Sequence, residues 1–334
     1  MPDILTLGEI LLRLSTSPGD LLSCSHSLHV NYGGAEANVA TTLASFGHDV
    51  AFASKVPDSP LGAAAARSLR ANGIDTSHLL MGGNRLGIYF LEQGGTLRNS
   101  KVIYDRESSS FSEMDIDEWD FDRLFAGVSL FHLTGITFAV SESWKYYGQI
   151  LVKAAVDRGI PVSFDINYRP AMWTMEEARA AIIPVLPMLT YCCANYLDAR
   201  NFFGIDASVA APGNMEACYR EISRKYPNLR ALYATDRNVI SPTCHELQGM
   251  LWTGGVFIQS RRYHMQQIVD RIGGGDAYAA GMLHGFLTGM EPEETVQFAA
   301  ATSVLKHSVN GDALPLSADE VRSWEGASGR EIVR

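Results

Sequence analysis

The feature that most constrains this chain is a repeated exchange between two hydrophobic periods. Apolar runs of strand length fall at 4–8, 50–55, 130–134, 161–165, 190–194 and 229–235. Helical patterns cover 36–46, 62–71, 142–157, 176–186, 277–287 and 293–307. A strand that returns parallel to its predecessor needs a crossover, and a helix is the usual one. The alternation therefore predicts an α/β fold, a mostly parallel central sheet with helices on both faces. Two stretches break it. Residues 15–32 and 86–104 are strand-like, with Gly-rich turns and no helix between the runs. Two such insertions can pair into a small β-sheet, a discontinuous lid on a single domain over 1–334; surface loops are the plainer reading. Residues 239–260 are β-rich and Gly-punctuated, which predicts antiparallel hairpins at a sheet edge.

Composition narrows the classes of function. Lys+Arg number 27 against Asp+Glu 37, a net charge of −10, and no basic tract exists. General nucleic-acid binding is not expected of such a chain. No apolar run reaches the ~18 residues of a membrane span, and the first residues lack the basic start of a signal peptide. Five cysteines include no CxxC pair, and Cys192 and Cys193 are adjacent. Together these features point to a reducing cytoplasm.

The strongest local motif is Asp270-Arg-Ile-Gly-Gly-Gly-Asp276, which runs into a helix with a small-residue face. Glycines let backbone N–H groups turn toward a ligand, and the first turn of a helix leaves amides free for an anion. An aspartate there would repel phosphate unless it faces a hydroxyl while the amides face the phosphoryl group being transferred. A Gly-rich turn with Asp276 as a helix cap is the alternative. A second Gly-rich element, Asn31-Tyr-Gly-Gly-Ala-Glu-Ala-Asn38, offers backbone approach at Gly34 and hydroxyl binding at Asn38; taken by itself, a simple loop-to-helix transition is the plainer account. No GxxxxGKS or GxxxxGKT nucleotide loop, HExxH, GxSxG or HRD set competes. His26, His29, His48, His245 and His264 show no ligand spacing, so zinc is not expected.

These two elements, in this order and at this spacing, resemble the signatures of the ribokinase (pfkB-type) sugar-kinase family, over essentially the whole chain. The resemblance implies that Asp276 is the catalytic base, with Gly273, Gly274 and Gly275 as its anion hole, and that a small β-sheet forms the lid. Within the family the chain is most similar to the branch acting on 2-keto-3-deoxygluconate. Gly87-Ile-Tyr89-Phe, Tyr104-Asp-Arg106, Phe164-Asp-Ile-Asn-Tyr-Arg169 and Leu305-Lys-His-Ser-Val-Asn-Gly-Asp312 carry that likeness. It implies that Tyr89, Tyr104, Arg106 and Arg169 contact a sugar acid and that Gly34 and Asp312 bind its hydroxyl or keto groups. A guanidinium fork suits a carboxylate and finds nothing to grip on a neutral sugar. Surface salt bridges for the arginines and packing for the tyrosines remain open.

By the same resemblance, Asn167, Asn195, Thr235, Arg237, Gly273 and Gly275 bind ATP. The family's Asn-x-x-Glu, which handles Mg²⁺ through water, stands here as Asn195-Tyr-Leu-Asp198, one methylene shorter. Asp198 is the metal candidate; a helix cap at Asn195 and a first-turn acid at Asp198 are the alternative. The expected reaction is ATP-dependent phosphorylation of 2-keto-3-deoxygluconate at its 6-hydroxyl, by a homo-oligomer joined through the lid. A kinase for another sugar such as fructose, or a non-catalytic sugar- or nucleotide-binding regulator, would share much of this pattern.

Overall fold

A computed structural model describes residues 2–326. The alternating sequence folds into a ten-stranded sheet. Its strands run in the order Val256–Gln259, Cys244–Thr253, Ala231–Ser241, Tyr191–Cys193, Val162–Asp165, Leu130–Thr134, Ile4–Leu7, Val50–Val56 and Leu79–Met81, with Tyr263–Met265 beside Cys244–Thr253. From Ala231–Ser241 to Leu79–Met81 every pairing is parallel. The remaining pairings are antiparallel and form the edge expected of 239–260.

Buried strands explain the layers. Leu5 and Leu7 join a core with Phe131, Phe164 and Trp144 on one face. Their neighbour Ile4 joins Phe52, Tyr233 and Leu251 in the core on the other. The helices follow the same logic with shifted ends. Gly274–Thr288 starts before the pattern expected at 277, so Gly274 and Gly275 lie inside its first turn and Gly273 precedes it. The stretch expected at 176–186 is helical over Met175–Ile182 and tightens into a 3₁₀ helix over Ile183–Met188, where Pro184 and Pro187 remove amide donors. The helix Met215–Lys225 was not expected from the pattern.

A four-stranded sheet stands apart, in the order His29–Gly33, Leu11–Ser15, Ile88–Glu92 and Lys101–Asp105. Its first strand lies upstream of the stretch expected at 15–32. Residues 8–10, Gly-Glu-Ile, switch the chain from the main sheet to the small one. Strand alternation sorts its side chains. Register aligns Asn31, Arg13, Tyr89 and Tyr104 on one face, and Val30, Leu14, Phe90 and Ile103 on the other.

Candidate active site

The parallel strands end at a cleft of about 1400 Å³ whose far wall is the small sheet. Open α/β sheets bind ligands at these carboxyl ends. Asp165 ends the strand Val162–Asp165 and Asn167 follows it, Asn195 and Asp198 follow Tyr191–Cys193, and Tyr89, Val102 and Tyr104 face them from the small sheet. All sixteen candidate residues line this one cleft: Gly34, Asn38, Tyr89, Tyr104, Arg106, Asn167, Arg169, Asn195, Asp198, Thr235, Arg237, Gly273, Gly274, Gly275, Asp276 and Asp312.

The floor is the start of the helix Gly274–Thr288. Gly273 precedes it with φ 78°, and a Cβ there would lie 1.7 Å from the Asp312 carbonyl oxygen. Only glycine satisfies both the backbone and the space. Gly275 is open to the cleft, while a Cβ on Gly274 would lie 2.5 Å from the His307 ring. The Gly274 amide donates to the Arg271 carbonyl at 3.4 Å, while the next amides of the first turn have no acceptor within the helix and lie with its dipole at the cleft. Asp276, in that turn, accepts a hydrogen bond from Asn38 Nδ2 at 2.7 Å. Burial pushes its pKa up to about 6, against the lowering effects of Asn38 and Arg169. Asn38 thus holds the aspartate through one of its two amide hydrogens.

On the small-sheet side, charges are paired. Arg13, buried, donates to Asp270 at 2.5 Å and to Asp312 at 2.6 Å. The second Asp312 oxygen accepts from Tyr89 Oη, so both its oxygens already hold protein donors. Burial acts against the Arg13 charge, but Asp312 and Asp270 more than offset it and raise its pKa. Lys306, fully buried, donates to the Asp270 and Val309 carbonyls at 3.3 Å each. It ties the loop before the glycines to the loop before Asp312. Arg106 donates through Nε to Glu9 Oε2 at 2.8 Å and through a second nitrogen to the same oxygen. The salt bridge left open for Arg106 is therefore present, inside the cleft. Its guanidinium also lies 5.9 Å from the Tyr104 ring centre.

The opposite side differs. Among the described residues, Arg169, Arg237 and Arg271 line the cleft without an ion pair. Desolvation, then the charges of Arg271 and Arg169, lower the pKa of Arg237. Arg169 is exposed, and its charge also reaches Asp165, Asp198 and Asp276. Asp165 is pushed up to about 7, first by burial and then by Asp276 and Asp198. Asn167, beside it, has φ 39°, and its N–H donates to Asp165 Oδ1 at 3.1 Å. Left-handed backbone at a non-glycine residue is strain held by its surroundings.

Asn195 and Asp198 form a reciprocal cap. Asn195 Oδ1 accepts from the Leu197 and Asp198 amides at 2.7 and 3.2 Å, and Asp198 Oδ2 accepts from the Asn195 amide at 2.9 Å. The capping alternative is therefore what these two side chains do, at the cleft wall. Burial pushes Asp198 up to about 6. No group of three or more His, Cys, Asp or Glu able to hold a metal occurs among the described residues.

Sequence reasoning missed Glu9, Arg13, Asp165, Arg271 and Lys306. The motif Phe164-Asp-Ile-Asn-Tyr-Arg169 contains Asp165 and Leu305-Lys-His-Ser-Val-Asn-Gly-Asp312 contains Lys306, so those two could have been found.

Residues 1–319 match the model of the pfkB family of carbohydrate kinases. The chain belongs to this family. It is 31% identical to a 2-dehydro-3-deoxygalactonokinase from Haloferax volcanii, over 96% of this chain and 95% of that one. A solved 2-dehydro-3-deoxygluconokinase from Thermotoga maritima is 38% identical, with a TM-score of 0.92 over 98% of this chain and 100% of the other. A solved PfkB family carbohydrate kinase from Listeria grayi is 41% identical, with a TM-score of 0.93 over 97% and 99%.

Proposed function

We propose that this chain transfers the γ-phosphoryl group of ATP to the 6-hydroxyl of 2-keto-3-deoxygluconate, also called 2-dehydro-3-deoxygluconate, releasing ADP and the 6-phosphate. The observation that carries this reading is one cleft in which Asp276 sits at a helix start between a lid-side guanidinium, Arg106, and three unpaired arginines. The sugar acid then lies toward Tyr89, Tyr104 and Arg106. The phosphates lie toward Arg237 and Arg271, with Arg169 at the junction. Asn167, Asn195 and Thr235 line the nucleotide side.

Asp276 accepts the hydroxyl proton late, as the loose transition state develops. Its pKa near 6 leaves it ionised at neutral pH, yet closer to a useful base than an ordinary aspartate. The amides of Gly275 and Asp276 and the helix dipole offset charge on the transferring oxygens. The small sheet excludes water, which would otherwise compete as acceptor.

Mg²⁺ fits the donor set as an ion held mainly by phosphates: Asp198 and Asp165 supply carboxylates raised by burial, and no three-ligand cage accompanies them. Asp198 would hold it through water, and when bound it neutralises the outer phosphates. The exposed apolar side chains of Val30 and Ile103, aligned on the outer face of the small sheet, support self-association there. No described helix is long and apolar enough to cross a membrane, which accords with a cytoplasmic kinase.

The 4-epimer, 2-keto-3-deoxygalactonate, is a second substrate reading, supported by the name of the Haloferax relative. ADP formation measured across both acids, fructose and other ketoses tests the proposal. Turnover of a neutral ketose with none of either acid would overturn it.

A further inference from the structure

Glu9 stands where the chain leaves the main sheet for the small one, and it lines the cleft. It is only 4% exposed. Its two oxygens are used unequally. Oε2 takes both hydrogen bonds from Arg106, whereas Oε1 is buried and receives none. A Cβ on Gly87 would lie 2.5 Å from Oε1, and one on Gly34 would lie 2.1 Å from the Glu9 carbonyl oxygen. Gly87 leaves the room this carboxylate fills, and Gly34 leaves room for the Glu9 main chain.

A buried carboxylate oxygen without a donor is costly, and a ligand that brings one is favoured by that difference. The carboxylate and keto groups of a 2-keto acid only accept hydrogen bonds. Its hydroxyls are its only donors. Glu9 also cancels the charge of Arg106, so the pair greets a ligand as an acceptor beside a donor. Arg106 Nη1 has only the Met172 sulfur, at 3.8 Å. We infer that Glu9 is a specificity-determining residue: Oε1 accepts a hydrogen bond from a chain hydroxyl of the sugar acid while Arg106 Nη1 donates to an oxygen of its acid end. This rests on the functional reading above, and extends it to the choice among hydroxylated acids.

The test is a cycle between residue and substrate. kcat/KM is measured for 2-keto-3-deoxygluconate and for its analogues lacking the 4- or the 5-hydroxyl, in the wild type and in Glu9→Gln. All three substrates keep the 6-hydroxyl that is phosphorylated. In the variant the amide oxygen stays on Arg106 and a donor replaces the free acceptor. A loss of about 10- to 100-fold is expected on the full substrate, the scale of a charge-assisted hydrogen bond. On one deoxy analogue the loss shrinks to about 3-fold or less, because the partner hydroxyl is already gone. An equal loss on all three substrates, or no loss on any, overturns the assignment, since Glu9 would then serve only Arg106 or the fold. Should Glu9→Gln not fold, Glu9→Asp keeps the charge, withdraws the acceptor by one methylene, and is read on the same cycle. A wild-type enzyme that turns over ketoses but neither sugar acid removes the functional reading before any variant is compared. Equal losses in an acid-active enzyme remove the role of Glu9 alone.

Discussion

The two walls of the cleft hold their arginines under opposite conditions. On the small-sheet wall each guanidinium has a carboxylate: Arg13 has Asp270 and Asp312, and Arg106 has Glu9. On the facing wall Arg262 is paired with Asp236, but among the described residues Arg169, Arg237 and Arg271 have no carboxylate partner, and Arg237 is depressed by desolvation and then by the charges of the other two. Paired charges make a neutral, directional surface that can tell one hydroxylated molecule from another. Crowded like charges store repulsion that a polyanion relieves. One side is built to discriminate and the other to attract, and Asp276 lies at their meeting point.

Changing Asp276 to Asn gives the largest expected effect. It should cut kcat by about 10²–10⁴-fold while ATP affinity persists, because only the proton acceptor and one charge are removed. Near wild-type kcat would take Asp276 out of the mechanism. Next come two changes of the same kind on opposite walls. Arg13→Met leaves Asp270 and Asp312 buried without their cation and should cost about 3–5 kcal/mol of stability, read by denaturant unfolding. Arg237→Ala relieves repulsion, so stability should stay within about 1 kcal/mol while KM for ATP rises about 10-fold. Equal destabilisation by both would break the contrast between the walls. Arg169→Ala asks which wall the junction residue serves. A fall in kcat/KM of about 10- to 100-fold for the sugar acid, with a much smaller fall for a neutral ketose, assigns it to the acid. Equal falls assign it to the phosphates.

The smallest expected effect concerns pH. Asp276 must be ionised to act, so kcat should decline below pH about 6. Asn38→Ala removes a bond that lowers this pKa and should move the limb upward. Stability runs the other way. The folded chain holds this proton more tightly than the unfolded one, whose aspartate titrates near 3.8, so ionised Asp276 weakens the fold above pH about 6. Asp276→Asn should therefore raise Tm by about 2–4 °C at pH 8, and the gain should shrink toward pH 4. An unchanged Tm at pH 8 would mean that Asp276 is solvated well enough to carry its charge without cost.

How much of this was legible in the sequence depends on where partners lie along the chain. The sheet, its antiparallel edge and the Asp276 loop are written in local signals: periodicity, glycine runs and a helix start. Leu11–Ser15 falls between the strand expected at 4–8 and the insertion expected from 15, and Arg13 in its middle breaks the apolar pattern. The partner of Arg13, Asp312, is 299 residues away. Glu9 and Arg106 are separated by 97 residues. No pattern in one stretch announces a bond made to another. The same limit explains Asn38 and Asp312. Both were placed in the cleft from their motifs, but that they hold Asp276, Arg13 and Tyr89 depends on how distant segments meet.

The span between Arg13 and Asp312 also bears on how the protein is made. At about 5–20 residues per second, a ribosome needs roughly 15–60 s to extend the chain from the arginine to the aspartate. For most of that interval the second strand of the nascent chain carries a cation destined for the interior with neither carboxylate yet synthesised, and Asp270 precedes Asp312 only near its end. The small sheet and the floor of the cleft can close only when translation is almost over. A transcript truncated upstream of Asp270 would yield no partial kinase, only a chain with a strand it cannot bury, which is the kind of substrate chaperones and proteases select.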